Sequence, residues 1–407
     1  MKEIVIIGGG AAGLAAACAA AEALQGMPAH VTVLEGAQRM GRKILASGNG
    51  RCNLLNAGPN CFFGDAPFAD RVLETCTREQ VLAFFERAGL LINPQPEEDG
   101  RMYPATGQAS SVLDVLRAYA QRLQIDCICE EKAVQIIPRK KGYLVETEKG
   151  QYRADRLIVC CGSPAGGKLG VDAYHLLTDL GHALIPVRPA LSPLLCDMRG
   201  LGALKGLRLP AALTLTRNGK PVEGSEGEIL FSESGVSGVC AMQLARAAEA
   251  GDVLHIDFAP LLALAPRQHG HTLSPDAPGK SEKMILKYLE KRAAMLPQDA
   301  LLTGLLPRVL SQVLEKDAKS LPALAKKLSD FALPVQGVKG LDSAQVAHGG
   351  IDTREFDPAT MESRLYPGLY AAGEVLHVDG ECGGFNLLFA WSSGLTAGCH
   401  AAQMLKS

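Results

Sequence analysis

Excess charge of either sign is missing from this 407-residue chain. Lys plus Arg number 41 against 43 Asp plus Glu, a formal net charge of -2 with a pI near 6.5, so no global field recruits nucleic acid or anionic lipid. Also missing is any C-x-x-C. The twelve cysteines stand scattered at 18, 52, 61, 76, 127, 129, 160, 161, 196, 240, 382 and 399. Zinc sites and dithiol redox centres need that spacing, so no metal centre is expected. No secretory signal pattern is found, and the cysteines are expected to be reduced thiols of a cytoplasmic protein, most of them small core residues. Residues 4 to 21 carry no charge, which is the length of a membrane span, but four glycines and an alanine-dominated run are poor lipid-facing material. No membrane partner is expected.

What is present begins at the first strand-like run. Ile4-Val5-Ile6-Ile7 leads into Gly8-Gly9-Gly10-Ala11-Ala12-Gly13 and then the Ala-rich run 14 to 23. Gly8, Gly10 and Gly13 fit G-x-G-x-x-G: the first permits a tight turn, the second lets backbone approach a pyrophosphate, and the third lets helix pack on strand. A second strand, Val31 to Leu34, ends in Glu35, 22 positions after Gly13. A carboxylate there takes the ribose hydroxyls of an adenine dinucleotide and would repel a phosphorylated ribose.

The stretch 36 to 56 is loop-like and rich in glycine, with Arg42, Lys43 and Arg51 as cations able to neutralise a pyrophosphate. Helical spacing covers 70 to 90 and 110 to 124, separated by Gly100-Arg101-Met102-Tyr103-Pro104, a turn carrying a cation and a phenol. Strand-like runs at 133 to 137, 143 to 147 and 151 to 154 predict an antiparallel meander. Leu157 to Cys161, stopping at Gly162, reads as a returning parallel strand. Gly162 to Lys168 matches the Walker pattern, but Leu169 stands where Ser or Thr must hold magnesium, so the loop is read as one passing close to a cofactor. From about 188, short strands and Pro/Gly turns predict a small β-barrel, and apolar helical spacing within 256 to 332 predicts an inserted helical unit. That unit holds 11 Lys/Arg against 8 Asp/Glu, a mild surplus. Leu369 to Ala372 is another apolar strand, followed by Gly373 and Glu374, and Gly383-Gly384-Phe385-Asn386 opens a helix running to about Met404.

These elements resemble the BaiN/RdsA flavoproteins over almost the whole chain. The resemblance rests on V-I-I-G-G-G-A-A-G at 5 to 13, S-G-N-G-R-C-N at 47 to 53, G-R-M-Y-P at 100 to 104, L-F-S-E-S-G-V-S-G at 230 to 238, T-M-E-S at 360 to 363, G-L-Y-A-A-G-E-V-L at 368 to 376 and G-G-F-N-L at 383 to 387. It departs at Leu55, at Ser232-Glu233 and at Leu388-Phe389, where the family carries Thr, Thr-His and Gln-Trp. The resemblance implies an α/β fold: a Rossmann-like FAD domain of glutathione-reductase type with an inserted β-barrel that itself carries a helical insert. The boundaries expected are 1–190 and 348–407 for the FAD domain, 191–255 and 333–347 for the barrel, and 256–332 for the helical insert.

On this reading FAD is held by Gly8, Gly10, Ala11, Ala12, Gly13, Glu35, Arg42, Lys43, Arg51, Asn53, Val134, Gly162, Gly373, Glu374, Gly384, Asn386 and Leu387. Glu374 would accept hydrogen bonds from the ribityl chain, and the helix opened by Gly383-Gly384 would face the charge of reduced flavin. The resemblance implies an FAD-dependent oxidoreductase. Members of the family reduce a conjugated C=C bond in bile-acid intermediates, reduce a ribosomal RNA uridine to dihydrouridine, or oxidise a small aminoketone. The expected reaction is hydride transfer from flavin N5 to a C=C bond of a small molecule or an rRNA uridine, with NAD(P)H docking transiently as donor. A peroxide-forming flavin oxidase of an aminoketone and a non-enzymatic flavin module stay open beside it. Reduction needs a general acid. Cys52, its thiol expected to be lowered by neighbouring cations, is the first candidate and Tyr103 the second, with Cys52 as a buried thiol that only packs against the flavin standing open beside that role.

Overall fold

Ile4, Val5, Ile6 and Ile7 are all buried, and together they make strand Lys2–Ile7 the centre of a five-stranded parallel sheet. Each such side chain is worth roughly 1.5–3 kcal/mol of burial. The order across the sheet is Leu369–Ala371, Arg156–Val159, Lys2–Ile7, Ala29–Glu35 and Asp126–Cys129, every neighbouring pair parallel. The carboxyl ends of four strands therefore lie on one edge, which brings Gly8, Glu35, Gly162 and Gly373 to the same side of the sheet. That edge is where ligands of open parallel sheets bind.

The computed structural model describes residues 2–262, 272–273, 277–297, 300–316 and 318–406. Part of the expected helical unit, including Arg267, Asp276, Asp299 and Asp317 of its charge pattern, lies outside the described residues. The chain divides into one unit of Met1–Arg188 with Val346–Ser407 and a second of Pro189–Gln345.

In the first unit, helix Ala11–Ala23 follows the glycine turn and helix Phe385–Lys406 ends the fold. A Cβ on Gly13 would stand 1.8 Å from the Gly8 carbonyl oxygen, so only glycine lets the helix turn this tightly off the strand. The two helices approach equally closely: a Cβ on Gly394 would meet Ala12 O at 2.3 Å, and one on Gly398 would meet Ala16 O at 2.1 Å. The meander is present as Ala133–Pro138, Tyr143–Thr147 and Gln151–Ala154. The helical segment expected over 70 to 90 is two helices, Ala66–Thr75 and Arg78–Ala88. Thr77 breaks it: its hydroxyl accepts from Gln80 N while the Gln80 side chain accepts from Thr77 N, a capping box that starts the second helix afresh. After strand Arg156–Val159 the Walker-like stretch holds only one tight turn, Gly167–Leu169, and no long helix.

The second unit is built on a closed six-stranded antiparallel barrel. Its order is Arg208–Arg217, Val253–Asp257, Phe331–Val338, Leu194–Cys196, Gly235–Ser237 and Lys220–Phe231, which pairs back with Arg208–Arg217. Alternation along the first strand puts Leu209, Ala211, Leu213 and Leu215 inside. Helices Glu282–Ala293, Arg308–Glu315 and Leu321–Ser329 bury Ile285, Leu289, Leu310, Leu314, Leu324 and Leu328 in the same core.

Gly398→Ala is expected to lower stability by about 1–3 kcal/mol through overpacking. Gly150, where an added Cβ meets nothing within 4 Å, should tolerate alanine within about 0.5 kcal/mol. Urea-unfolding midpoints of the two variants check the pair, and equal midpoints would remove the helix contact from the account.

Candidate active site

The three glycines of the turn differ in what the fold asks of them. Gly8, at φ +100°, packs so closely that a Cβ would stand 2.3 Å from Cys160 O. Gly10 differs: a Cβ there meets nothing within 4 Å, so the chain's own packing does not demand glycine. Gly10 caps helix Ala11–Ala23 without a side-chain hydrogen bond. The first intrahelical bond runs from Leu14 N to Gly10 O, 3.0 Å, which leaves the amides of Ala11, Ala12 and Gly13 without an intrahelical partner. Glu35 comes to the turn, its Oε2 accepting from Gly9 N and its Oε1 from Ala37 N, both 2.8 Å. Each oxygen keeps a further lone pair for a ligand hydroxyl. Val134 lies just past the segment stitched to the end of this strand by Glu131 N to Glu35 O, 2.9 Å, and is partly exposed.

Beside the turn, Glu374 is the centre of a bracket. Its Oε1 accepts from Ser163 Oγ at 2.7 Å and from Ala347 N at 3.3 Å, and its Oε2 pairs with Lys43 Nζ at 2.7 Å. Gly373 N donates to Ser393 Oγ at 3.0 Å, and a Cβ on Gly373 would stand 2.8 Å from Ala12 Cβ. The carboxylate expected for a ribityl chain thus ties together the loops after two strands, with Gly162 just before Ser163. The three cations do not converge. Arg42 donates to Lys168 O at 3.1 Å, Lys43 holds Glu374, and Arg51 turns to Glu97 at 2.9 Å and stacks 3.9 Å above the Tyr103 ring.

The second half of the site is a ribbon laid across the head of helix Phe385–Lys406. Leu55–Asn56 pairs with Arg101–Met102, so the motifs at 47 to 53 and 100 to 104 are neighbours. Asn56 Nδ2 donates to Gly383 O at 2.8 Å, and Trp391 Nε1 to Leu54 O at 3.0 Å. Gly384 is pressed against this ribbon, where a Cβ would stand 2.6 Å from Leu55 C and 2.8 Å from Asn53 Oδ1. Asn386 uses both ends of its side chain on Gly380, accepting from its amide at 2.8 Å and donating to its carbonyl at 2.9 Å. That makes it a clamp, and it leaves the backbone amides of Phe385, Asn386 and Leu387 as the helix-head donors, since the first intrahelical bond is Leu388 N to Gly384 O at 3.0 Å.

Cys52 is fully buried, at φ +56°. The expected lowering of its thiol is overturned: Arg51 points elsewhere, and burial pushes the thiol up to about 11 against a lowering hydrogen bond from Ser47. Burial also pushes the Tyr103 phenol up, opposed by the Arg101 and Arg51 guanidiniums. Both groups hold their protons at neutral pH. Sequence reasoning missed Asn56 and Ser163, whose roles appear only once distant segments meet, and it read Arg101 only as a turn cation. Arg101, paired with Asp99 at 3.1 Å, lies beside Gly383 at the helix head.

The residues fit an adenine dinucleotide. Gly10 is a cradle that a side chain would fill, two helix heads offer amides, Glu35 retains acceptors, and Asn53 Oδ1 is buried with no hydrogen-bond partner among the described residues. Among those residues no cluster of His, Cys, Asp and Glu could hold a metal ion, and no helix is long and apolar enough to cross a membrane. Residues 2–400 match the family described as HI0933-like protein Rossmann domain. The chain belongs to this family. It is 32% identical over 427 residues to the 3-dehydro-bile acid delta(4,6)-reductase of Clostridium scindens, covering 99% of this chain and all of that protein. The ribosomal RNA dihydrouridine synthases of Escherichia coli and Haemophilus influenzae are 27% and 28% identical, each over 96% of both chains.

Gly10→Val should fold with unchanged far-ultraviolet dichroism and thermal midpoint, yet bind an adenine dinucleotide about tenfold or more weakly, about 1.4 kcal/mol. Calorimetric titration with FAD checks it; unchanged affinity would remove Gly10 from the binding surface.

Proposed function

We propose that this protein is a cytoplasmic FAD-dependent reductase, using NAD(P)H as donor, that saturates a C=C bond conjugated to a carbonyl in a small enone. The observation that carries the reading is the full-length likeness to a bile-acid reductase, joined to a site with two buried, protonated donors beside a helix head. FAD would lie along residues 1–190 and 348–407, its pyrophosphate at Gly10 to Gly13, its ribose at Glu35 and its ring at Asn53 and Gly384. When bound, FAD supplies hydride from N5 to the substrate carbon stacked on it. The chain's part is to hold charge and protons. The amides of Phe385, Asn386 and Leu387 sit at the positive end of a 22-residue helix, beside the Arg101–Asp99 pair, so negative charge is stabilised at that point by the helix head. Cys52 or Tyr103 gives the proton to the carbon next to the one reduced. A uridine is the same chemistry in another frame, its C5=C6 bond conjugated to the C4 carbonyl, and the two dihydrouridine synthases among the relatives favour this as the second reading. The near-balanced charge of the chain weighs for the small substrate.

Single-turnover reoxidation of pre-reduced protein by a steroid 4-en-3-one is expected to slow about 100-fold or more in Cys52→Ser or Tyr103→Phe, whichever removes the donor, with the bound-flavin spectrum intact. Cys52 ionises only near 11, so an inflection in the wild-type rate between about pH 6 and 9 belongs to another group. Fast reoxidation by dissolved oxygen alone would overturn the reductase reading in favour of an oxidase. Dihydrouridine lost from ribosomal RNA on deletion of the gene would move the substrate to RNA.

A further inference from the structure

One buried acid–base pair is not used by the chemistry above. His348 Nδ1 lies 2.7 Å from Asp379 Oδ1, the carboxylate almost wholly buried and the imidazole about one-sixth exposed. A buried carboxylate on Nδ1 fixes the tautomer with Nδ1 protonated, so the acid–base work falls to Nε2.

The backbone holds this residue unusually firmly. On one side the Ala347 amide donates to Glu374 Oε1, the bracket beside the glycine turn. On the other, Gly349 at φ +100° and Gly350 at φ +127° are pressed so closely that a Cβ on the first would stand 2.4 Å from Pro186 O and one on the second 2.9 Å from Val375 O. Asp379 is equally fixed. It belongs to strand Val378–Gly380, which pairs with Phe62–Gly64, and the next residue, Gly380, is the one clamped by Asn386 at the helix head. The segment 373 to 386 therefore runs from the pyrophosphate turn to the helix head, and His348 is attached to the middle of it. That is the stretch a flavin ring must follow if its pyrophosphate is at Gly10 and its ring at Gly384.

The groups around the imidazole leave it as the proton carrier. His377 meets it edge-on with ring centroids 5.1 Å apart, and burial together with the charge of His348 pushes the His377 imidazole down. His377 Nδ1 is buried with no hydrogen-bond partner among the described residues. Asp65, which also faces His377, accepts from Thr353 at 2.6 Å, Asp352 is paired with Arg354 at 2.6 Å, and Glu374 is paired with Lys43.

We propose that His348, oriented by Asp379, is a catalytic residue whose protonated Nε2 donates to the carbonyl oxygen of the substrate. This rests on the enone-reductase reading. Hydride from reduced FAD adds to the β-carbon, the C=C electron pair moves toward the carbonyl, and the oxygen takes the Nε2 proton to give an enol. The α-carbon then receives its proton from Cys52 or Tyr103 as the enol O–H proton returns to Nε2, and the thiolate or phenolate is reprotonated by water. The product has gained one hydride and one proton, and His348 is unchanged. Asp379 acts only through His348 and is a positioning residue.

Two readouts test this. 4-Nitrophenol mimics the enolate, and its absorbance reports whether it binds as the phenolate. The oxidised holoprotein should bind it at neutral pH as phenolate, and His348→Gln should lose that spectral change with the flavin spectrum and thermal midpoint kept. Pre-reduced His348→Gln should be reoxidised by cyclohex-2-enone at least 30-fold more slowly at saturation. Asp379→Asn should weaken the phenolate spectral change with the flavin spectrum kept, because the imidazole loses the carboxylate that orients it, and Asp379→Glu should restore it in part. A His348→Gln protein that still binds the phenolate, or turns over within threefold of wild type, overturns the assignment and leaves the reductase reading standing. If no enone reoxidises even the wild-type protein, the reductase reading falls, and the nitrophenol titration then decides whether His348 is an oxyanion site at all.

Discussion

Backbone contact between the first and last helices is the constraint from which the site follows. Gly394 meets Ala12, and Gly398 meets Ala16, so the two helices advance in the same direction at the point of contact. At 1.5 Å of rise per residue, the nine residues from Gly394 back to Phe385 carry the head of the last helix about 14 Å beyond the level of Ala12. Two sets of helix-head amides are thus offset by a fixed distance, one at the glycine turn and one at Gly384. An extended dinucleotide bridges such an offset with its phosphates at one head and its ring at the other. Any side chain at Gly394 or Gly398 would part the helices and change that spacing.

The polar groups along this span are largely satisfied by the chain itself. Lys43, Glu374, Ser163 and the Ala347 amide form one network, and Glu35 is held by two amides. With Lys43 one-third and Glu374 one-fifth exposed, the ion pair itself adds little stability. Its consequence is geometric: the loops after strands Arg156–Val159 and Leu369–Ala371 are tied to helix Arg42–Ala46 before any ligand arrives. Preorganised dipoles of this kind stabilise charge without reorganising during a reaction.

Much of this was legible in the sequence, and the boundary of legibility is physical. Gly8, Gly13 and the strand before them read correctly because a tight turn and a close helix leave glycine no substitute. Four strands of the five-stranded sheet were readable as apolar runs that stop at a glycine or at Glu35, while the edge strand Asp126–Cys129, short and opened by a charge, gave no such signal. What spacing could not give is how side chains pair across long separations. Lys43 and Glu374 are both visible as polar residues near glycines, but nothing local says that they neutralise each other. Asn386 was expected to hold FAD from the resemblance alone, and nothing local says that its side chain is spent on Gly380 while its amide stays at the helix head. A lone histidine such as His348 carries no periodic signal whatever. The two helices within 70 to 90 show the converse, since the Thr77 to Gln80 capping box was readable and the apolar periodicity running through it hid it.

Cys52 shows why charge along the chain is a poor guide to a thiol. Three cations within ten positions suggested a lowered pKa, but side chains leave a loop in different directions, and burial raises a thiol wherever its neighbours point away. The backbone carries a further constraint. Gly48, Asn49, Gly50 and Cys52 all have positive φ, and for the two non-glycine residues that conformation costs on the order of 1–3 kcal/mol each. Such a loop persists only where surrounding contacts over-determine it, and here the pairing of Leu55–Asn56 with Arg101–Met102 and the Trp391 bond to Leu54 do so. The strain is held next to Asn53, whose buried oxygen has no partner among the described residues, and against Gly384, which has no room for a side chain. A loop kept strained beside an unsatisfied acceptor and a helix head is arranged for a ligand, because the fold on its own gains nothing from either feature.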